Sequence, residues 1–389
     1  MQVSVSEHGS PSVRGRATRA VRGAKQHLAG GSCYPARSGG SPPTAPEERK
    51  SARRETERTL VSWLAARPET AGLLGDDAAM LPPRSHHVVT VDFQIAGVHF
   101  PKGLDAAVLA RRLLAVNLSD LAAMGARPVH AFLALAAPPG FAHRRFFSSL
   151  LREASRRGLT LAGGDLAAAA EVHASLNLIG ERWPGARRWL RRSEARPGDA
   201  IYLGGTVGES ALGLELVRRG ARAGMRGVVL PRLPKLRANL DRAARRAVRR
   251  HLLPQAQLEL GAWLSRRPRG AAIDVSDGVA RDLHRLCAES AVGAVIEAER
   301  LPRAPGFASL AERLGLDPLA LQLGGGEDYV LLFTLPEGAA PDARFGCRAV
   351  GRIESGRSVR VVDAEGRAAP LADLGWDHLA ARAPGAADR

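Results

Sequence analysis

The sequence has few cysteines, few lysines and few aromatic residues, and each of these shortages excludes certain classes of protein. Its three cysteines, Cys33, Cys287 and Cys347, lie far apart and form no CxxC pair. This spacing argues against a disulfide framework and a thiolate metal site, and it favours the reducing cytoplasm. Aromatic residues make up 4% of the chain, so we expect a core of Leu, Val and Ala. No run approaches the roughly 18 apolar residues of a membrane-spanning helix.

Acidic residues are in the minority. The 389 residues include 56 basic and 39 acidic ones, which gives a net charge of +17. Such a charge can indicate a polyanionic partner. However, only four basic residues are Lys, and the Arg residues are spread along the chain, as is typical of a GC-rich genome. We therefore expect neither a nucleic-acid partner nor a membrane partner.

Residues 1–50 differ in composition from the rest. They are rich in Gly, Ser, Pro and Arg and show no apolar periodicity, which predicts disorder. They lack the apolar segment of a secretory signal and loosely resemble a transit peptide. The favoured interpretation is upstream sequence translated from a mis-assigned start codon.

From about residue 51 the apolar pattern predicts alternating helices and strands. A first helix should end at Pro68, and two further helices should cover 105–126 and 146–158. Strands are predicted at 86–100, 130–137 and 173–182, and the segment LTLAGGDLA should leave a strand for a glycine turn. A basic amphipathic helix within 221–253 is expected to present a solvated face. The irregular alternation favours two α+β domains, 51–190 and 191–389.

Seven aspartates follow apolar segments and stand close to Gly, Ser or Thr: Asp76, Asp77, Asp92, Asp120, Asp165, Asp274 and Asp277. One such residue is ordinarily a turn or a helix cap. If they converge, their charges require cations. Oxygen ligands without His or Cys fit Mg²⁺, whose coordination is commonly completed by substrate phosphates. The set therefore predicts a nucleotide-phosphate site with more than one Mg²⁺.

The usual phosphate-binding loops are absent from the sequence, which contains neither GxxxxGK[ST] nor a GxGxxG after a strand. The glycines of 203–214 precede a helix start that could receive an anion. A plain strand-to-helix turn is the favoured interpretation. Nucleotide phosphates would then be held by metal and Arg.

The motifs GDDAA, VDFQIAGVHF, VNLSDLAAMGARP, GGD, RRSEARPGD, IDVSDGVARDL and GGGEDYVLLFT occur in this order. This set, over about residues 55–380, resembles the thiamine-monophosphate kinase family of the PurM-like (aminoimidazole-ribonucleotide synthetase) superfamily. The resemblance implies an α+β fold of two PurM-like domains: an N-terminal one with the ATP and Mg²⁺ site, and a C-terminal α/β one. It also implies a homodimer that pairs the N-terminal sheets, and ATP-dependent phosphorylation of thiamine monophosphate to the diphosphate.

The resemblance also implies roles for individual residues. Metal ligands would be Asp76, Thr90, Asp92, Asp120, Asp165, Asp274 and Asp277, with Asp77 only in support. ATP would contact Gly164, Asp165, Arg192 and Ser276, and the thiamine phosphate would contact His99, Glu327 and Trp376. No general base is expected, because the second pKa of a phosphate monoester is about 6. Catalysis would consist of charge neutralisation and in-line positioning.

The sequence also departs from the family pattern. Val91, Ala96, Leu166, Ala167 and Val330 stand where the family usually has Thr, Ser or Glu. The metal carboxylates are retained, so the nucleotide and Mg²⁺ interpretation is unaffected. The identity of the acceptor stays open. The alternatives are another ATP-dependent enzyme of the superfamily with a different acceptor and a non-catalytic nucleotide-binding paralogue.

Overall fold

The computed structural model describes residues 76, 78–80, 86–224, 227–231 and 237–375. The predicted disordered tail, the predicted helix before Pro68, Asp77 and Trp376 lie outside the described residues. Within these ranges no helix is both long and apolar enough to cross a membrane.

The first sheet has five strands in the order β1-β2-β5-β3-β4. They are β1 Ala79–Met80, β2 His87–Ile95, β3 Ala126–Ala137, β4 Thr160–Ala168 and β5 His173–Arg182. Pairing is antiparallel except between β3 and β4. Alternating buried and exposed side chains on β2, β3 and β5 show one covered face and one open face. The strands predicted at 86–100, 130–137 and 173–182 are confirmed.

Two helices follow the strands of this sheet, α1 Ala106–Ala123 and α2 His143–Ser155. Asp105 caps α1, since its Oδ1 accepts from the backbone N–H groups of Ala107 at 2.9 Å and Val108 at 3.3 Å. Nearly every residue of α1 is buried, because the helix packs on the first sheet and also, through Ala122 and Ala123, against the second. Its all-round apolar sequence follows from this position.

The second sheet has seven strands in the order β14-β13-β10-β12-β6-β11-β9. They are β6 Ala200–Leu203, β9 Ala272–Asp274, β10 Gly293–Glu297, β11 Leu331–Leu335, β12 Arg348–Glu354, β13 Val359–Val362 and β14 Ala368–Pro370, and a separate pair is formed by β7 Arg222–Gly224 and β8 Gly227–Val229. The remaining helices are α3 Glu209–Arg218, α4 Ala238–Leu252, α5 Leu258–Ser265, α6 Val279–Ser290, α7 Phe307–Arg313 and α8 Pro318–Gly324. The α+β class is confirmed, and the domain boundary near residue 190 stays a prediction.

The glycine turn predicted in LTLAGGDLA is wrong. Strand β4 continues through Gly163, Gly164 and Asp165 and pairs with β3 along this stretch. Gly164 has φ +151°, and a Cβ there would lie 1.9 Å from the carbonyl oxygen of Leu133. The glycine therefore permits a close approach of two strands, which is the other common reason for glycine in a strand.

Candidate active site

Ten of the thirteen predicted site residues line one cavity of about 700 Å³. They come from six separate segments of the chain: Asp76, Thr90, Asp92, His99, Asp120, Arg192, Asp274, Ser276, Asp277 and Glu327. The cavity volume is within the usual range for a small-molecule site. The tertiary structure thus brings together residues that the sequence separates by up to 251 positions.

Strand β2 and helix α1 supply one wall of this cavity. Alternation along β2 places Thr90 and Asp92 on the same face. Asp120 of α1 meets that face, and the Thr90 hydroxyl donates a hydrogen bond of 2.5 Å to Asp120 Oδ2. A hydroxyl and two carboxylates are therefore presented together by two rigid elements.

Asp76 is fixed to the segment that follows the first sheet. Its Oδ1 accepts a hydrogen bond of 2.9 Å from the backbone N–H of Arg192. The carbonyl of Arg192 in turn accepts from Ser290 Oγ at 2.6 Å. These bonds hold Arg192 and the Asp76 carboxylate beside each other at the cavity.

The turn between β9 and α6 supplies Asp274, Ser276 and Asp277. Asp282 organises this turn, because its Oδ2 accepts from the N–H groups of Asp277 and Gly278, both at 3.1 Å. Arg285 Nη1 lies 2.6 Å from Asp277 Oδ2. Burial, followed by the charge of Asp277, raises the pKa of Asp282 to about 7 against the opposing effect of Arg285. The turn is thus built around a buried carboxyl group.

Glu327 is held by a buried arginine. Arg112 of α1 is fully buried and donates to Glu327 Oε1, to the carbonyl of His251 and, at 3.1 Å, to Gln94 Oε1. His251 Nδ1 lies 3.1 Å from Glu327 Oε2 and 3.2 Å from Ser210 Oγ. Burial favours neutral Glu327, but Arg112 and then His251 outweigh it and lower its pKa to about 2. Burial lowers the pKa of His251, so Glu327 is ionised beside a neutral imidazole.

The backbone around Glu327 is strained. Glu327 has φ +64° and Tyr329 has φ +50°, in the left-handed region that side chains other than Gly rarely adopt. Hydrogen bonds hold both residues there, from Glu327 N to the Ser276 carbonyl at 2.6 Å and from Tyr329 N to the Val275 carbonyl at 2.9 Å. Such conformations concentrate at functional sites, where the surroundings enforce them.

The glycine-rich segment 203–214 forms a strand-to-helix turn, as favoured from the sequence. The start of α3 is filled by a carboxylate from the chain itself, because Gly208 N and Ser210 N donate to Asp328 at 2.5 and 3.0 Å. Burial raises the pKa of Asp328 to about 6, with Arg250 opposing. The helix start is therefore occupied by Asp328.

Gly164 and Asp165 do not line the cavity. A row of paired residues runs across the sheet from Phe93 through Ser175 and Ala134 to Asp165. Three strand spacings separate the ends of this row by about 14 Å. The row lies on the open face of the sheet, whereas Thr90 and Asp92 face α1. One protomer does not bring Asp165 to the other carboxylates, and its predicted role stays a prediction.

The donors around the cavity suit Mg²⁺ that arrives with phosphate. In the described part of the chain, no group of three or more His, Cys, Asp or Glu residues is placed to hold a metal ion by itself. Mg²⁺ is commonly held by one or two carboxylates, with waters and substrate phosphates completing the octahedron. The adjacent Thr90 and Asp120 oxygens fit such a partial site.

Three residues important to this geometry were not predicted from the sequence. Arg112 is a charged residue in the apolar N-terminal half of α1, where only the adjacent Arg111 is also charged, and this position was the signal that the sequence offered. His251 lies in a basic helix, and Asp282 resembles an ordinary first-turn acid of α6. The sequence positions of Arg112, His251 and Asp282 do not indicate that they contact Glu327 or the β9–α6 turn.

Comparison with known proteins agrees with this geometry. The profile of the family "AIR synthase related protein, N-terminal domain" matches residues 75–181. The thiamine-monophosphate kinase of Salmonella typhimurium is 36% identical over 272 residues, which cover 68% of this chain and 76% of that protein. The Pyrococcus abyssi enzyme of the same name is 30% identical over 311 residues, covering 79% and 91%.

A solved structure is also similar to this chain. The structure of AaThiL complexed with AMPPCP and TMP superposes with a TM-score of 0.71 at 28% identity, covering 83% of this chain and 97% of that one. The similarity in sequence and the similarity in fold therefore both extend over most of the described residues. On the 36% identity over more than two thirds of both proteins, the chain belongs to the thiamine-monophosphate kinase family.

Proposed function

We propose that this protein transfers the γ-phosphoryl group of ATP to the phosphate of thiamine monophosphate and so forms thiamine diphosphate. The observation that carries the proposal is the convergence on one cavity of residues with predicted metal, nucleotide and acceptor roles. Membership of the family supports it. So does the related structure with AMPPCP, which has a methylene in place of the β,γ-bridging oxygen of ATP, together with TMP.

The carboxylates would hold Mg²⁺ and the nucleotide. In this proposal Asp76, Thr90, Asp92, Asp120, Asp274 and Asp277 hold several Mg²⁺ ions. The ligand role of Asp165 is proposed only for an assembly that brings it to this cavity, since one protomer leaves it on the opposite face of the sheet. Bound Mg²⁺ supplies neutralisation of the charge on the phosphoryl oxygens. Arg192 and Ser276 contact the ATP phosphates from the same cavity, whereas the nucleotide contacts predicted for Gly164 and Asp165, which lie outside it, stay predictions.

His99 and Glu327 would orient the acceptor. His99 Nδ1 accepts a hydrogen bond of 3.0 Å from the N–H of Ile95, so the neutral ring carries its proton on Nε2 and donates from there. Such a donor suits the acceptor phosphate. Glu327 stays ionised, with a pKa lowered to about 2, and suits the cationic thiazolium ring. Trp376, outside the described residues, is proposed to contact the ring as well.

The chemistry then requires no general base. The acceptor oxygen of a phosphate monoester is largely ionised at neutral pH, because its second pKa is about 6. The work of the site is to bring two anions together and keep donor and acceptor in line. A cavity rich in carboxylates for Mg²⁺, with Arg192 beside them, suits that task.

The test is an acceptor assay with Mg·ATP. We expect one ADP and one thiamine diphosphate per thiamine monophosphate consumed, and no product from unphosphorylated thiamine. Val91 and Leu166, where the sequence departs from the family pattern, are 61% and 57% exposed. Because these departures leave the acceptor open, other phosphate monoesters should be assayed in parallel. Turnover with another monoester alone, or ATP binding without any turnover, contradicts the proposal and favours one of the two alternatives.

We also propose that the protein is a homodimer that pairs the open faces of the first sheet. On this face Val91, Phe93 and Phe132 are 61%, 45% and 40% exposed. A cluster of large apolar side chains on one face of a sheet is typical of an interaction surface. Asp165 lies on the same face, so pairing two sheets would cover it.

Replacing Phe132 by Asp should convert the dimer into a monomer, because it removes a large apolar side chain from the proposed interface and adds a carboxylate that pairing would bury. Size-exclusion chromatography with light scattering measures the mass. Leu151→Asp is the matched control, since Leu151 is 48% exposed on α2 and should leave the dimer intact. A wild-type monomer, or a dimeric Phe132→Asp variant, contradicts this interface.

A cytoplasmic location completes the proposal. Cys287 and Cys347 are free thiols, as expected in a reducing compartment. ATP, the proposed co-substrate, is also a cytoplasmic metabolite. Labelling of Cys347 with a membrane-impermeant thiol reagent tests the location, since Cys287 is buried. We expect no labelling in intact cells and labelling after lysis, and labelling of Cys347 in intact cells contradicts the proposal.

A further inference from the structure

A second cavity, of about 520 Å³, opens beside α4. Seven arginines and two glutamates line it, an excess of five positive charges: Arg111, Arg157, Arg242, Arg245, Arg246, Arg249, Arg250, Glu153 and Glu209. Among the described residues it has no lining residue in common with the first cavity. It is therefore a separate feature of the surface.

The arginines of α4 occupy one face of the helix. Positions 242, 245, 246, 249 and 250 follow the spacing of a single helical stripe. The opposite stripe, which includes Ala243, Ala247 and Val248, is buried. The basic face was expected to be solvated, and Arg242, Arg245 and Arg249 are indeed exposed. The same face also borders the cavity, whose lining includes Arg111 of α1 and Arg157, just after α2.

Four of the seven arginines form ion pairs with three carboxylates of the protein. Glu153 lies 2.9 Å from Arg157 and 3.5 Å from Arg111. Glu209 lies 2.6 Å from Arg246, and Asp241 lies 2.8 Å from Arg245.

The other three, Arg242, Arg249 and Arg250, form no side-chain hydrogen bond or ion pair within the described ranges. Arg250 Nε is buried and has no acceptor there. A buried donor without an acceptor is costly, more so when it is charged. Like charges on one helical stripe also repel. Arg250 is close enough to Asp328 to favour its charged form, whereas Arg242 and Arg249 are exposed and available to bind an added anion.

The cavity fits a compact, multiply charged phosphate compound. Guanidinium groups bind phosphate oxygens through two parallel hydrogen bonds. Leu253, which is half-buried, forms an apolar part of the lining, against which an organic portion can pack. We propose that this second cavity binds a small anion bearing a diphosphate or triphosphate group.

The two cavities lie back to back on the same helices. Glu209 and Arg250 line the second cavity, and their chain neighbours Ser210 and His251 line the first. On α1, Arg111 lines the second cavity, and the adjacent Arg112 holds Glu327. An experiment must therefore separate binding at one cavity from binding at the other.

Calorimetric titration with inorganic tripolyphosphate, in EDTA so that no Mg²⁺ supports the first cavity, tests the proposal. We expect saturable binding that Arg242→Ala/Arg249→Ala weakens at least about tenfold, since each lost guanidinium removes charge-assisted hydrogen bonds. Both positions are exposed, so the variant should fold. Arg313→Ala/Arg348→Ala removes the same charge from exposed positions elsewhere and should leave Kd within about twofold.

Two further titrations identify the binding site and the kind of ligand. Asp120→Asn, in the first cavity, should bind tripolyphosphate as the wild type does. Inorganic diphosphate and ADP, titrated into that variant, distinguish an inorganic ligand from one with an organic portion. The proposal is overturned by an absence of binding to the wild type, by equal weakening in both arginine pairs, or by loss of binding in Asp120→Asn.

Discussion

Replacing Asp120 by Asn should lower kcat by about 10³-fold, because the site stabilises charge that develops in the transition state. Asp120 accepts a 2.5 Å hydrogen bond from Thr90 and lines the cavity with the other carboxylates. Asn keeps the size and one acceptor oxygen, so the protein should stay folded. Steady-state turnover with Mg·ATP and thiamine monophosphate measures the loss, and thermal unfolding verifies the fold.

Asp241→Asn is the matched control for this variant. Asp241 lies on the exposed side of α4 and pairs with Arg245 at 2.8 Å, outside the first cavity. Its replacement should leave kcat unchanged. Near-normal turnover of Asp120→Asn would show that this carboxylate does not hold Mg²⁺, and would remove the proposed metal site from β2 and α1.

The second large effect is expected at Glu327. Glu327→Gln should lower the free energy of unfolding by about 3 kcal/mol, because it leaves the buried Arg112 without its carboxylate partner. This value is at the lower end of the usual cost of removing one partner from a buried ion pair. The lower end applies because the Glu327 side chain is 25% exposed, whereas Arg112 is fully buried. Urea unfolding at pH 7 measures the loss. Glu299→Gln, at an exposed pair with Arg303, should leave stability unchanged.

A double-mutant cycle tests the same pair. Arg112→Met/Glu327→Gln should lose less stability than the sum of the two single variants, because neither buried charge is then left alone. If the stability losses of the two single variants add up to the loss of the double variant, the Arg112–Glu327 contact contributes no coupling energy to stability.

The pH dependence of stability has a defined sign at Glu327. Its pKa is lowered from 4.5 to about 2, so the ionised form is favoured by folding. The contribution is complete above pH 4.5 and is lost as the pH falls through about 2. The stability difference between wild type and Glu327→Gln should therefore narrow across this interval. A constant difference would contradict the assigned charge state.

Sequence patterns were sufficient where local rules dominate. The apolar pattern predicted the strands β2, β3 and β5 and the long apolar helix α1, and the structure has all four. The glycines in β4 were misassigned to a turn, because glycine permits both a turn and a close strand approach. Only the position of Leu133 in the neighbouring strand distinguishes the two.

Placement of the candidate site depended on contacts between distant segments. Asp76 reaches Arg192, Thr90 reaches Asp120, and Arg112 reaches Glu327 across 215 positions. The motif order predicted which residues belong to the site, but not which ones touch. Asp165 shows the difference, since its motif groups it with the other aspartates while the sheet places it on the opposite face.

The sequence by itself determined the α+β class and most of the elements, because periodicity and turn chemistry are local properties, and it predicted the set of carboxylates. Only the tertiary structure decided that ten predicted residues share one cavity, that Arg112 and His251 set the charge of Glu327, and that the arginines of α4 line a second cavity. The physical reason is that burial and charge pairing depend on distances between segments, and these distances exist only once the helices and sheets have packed.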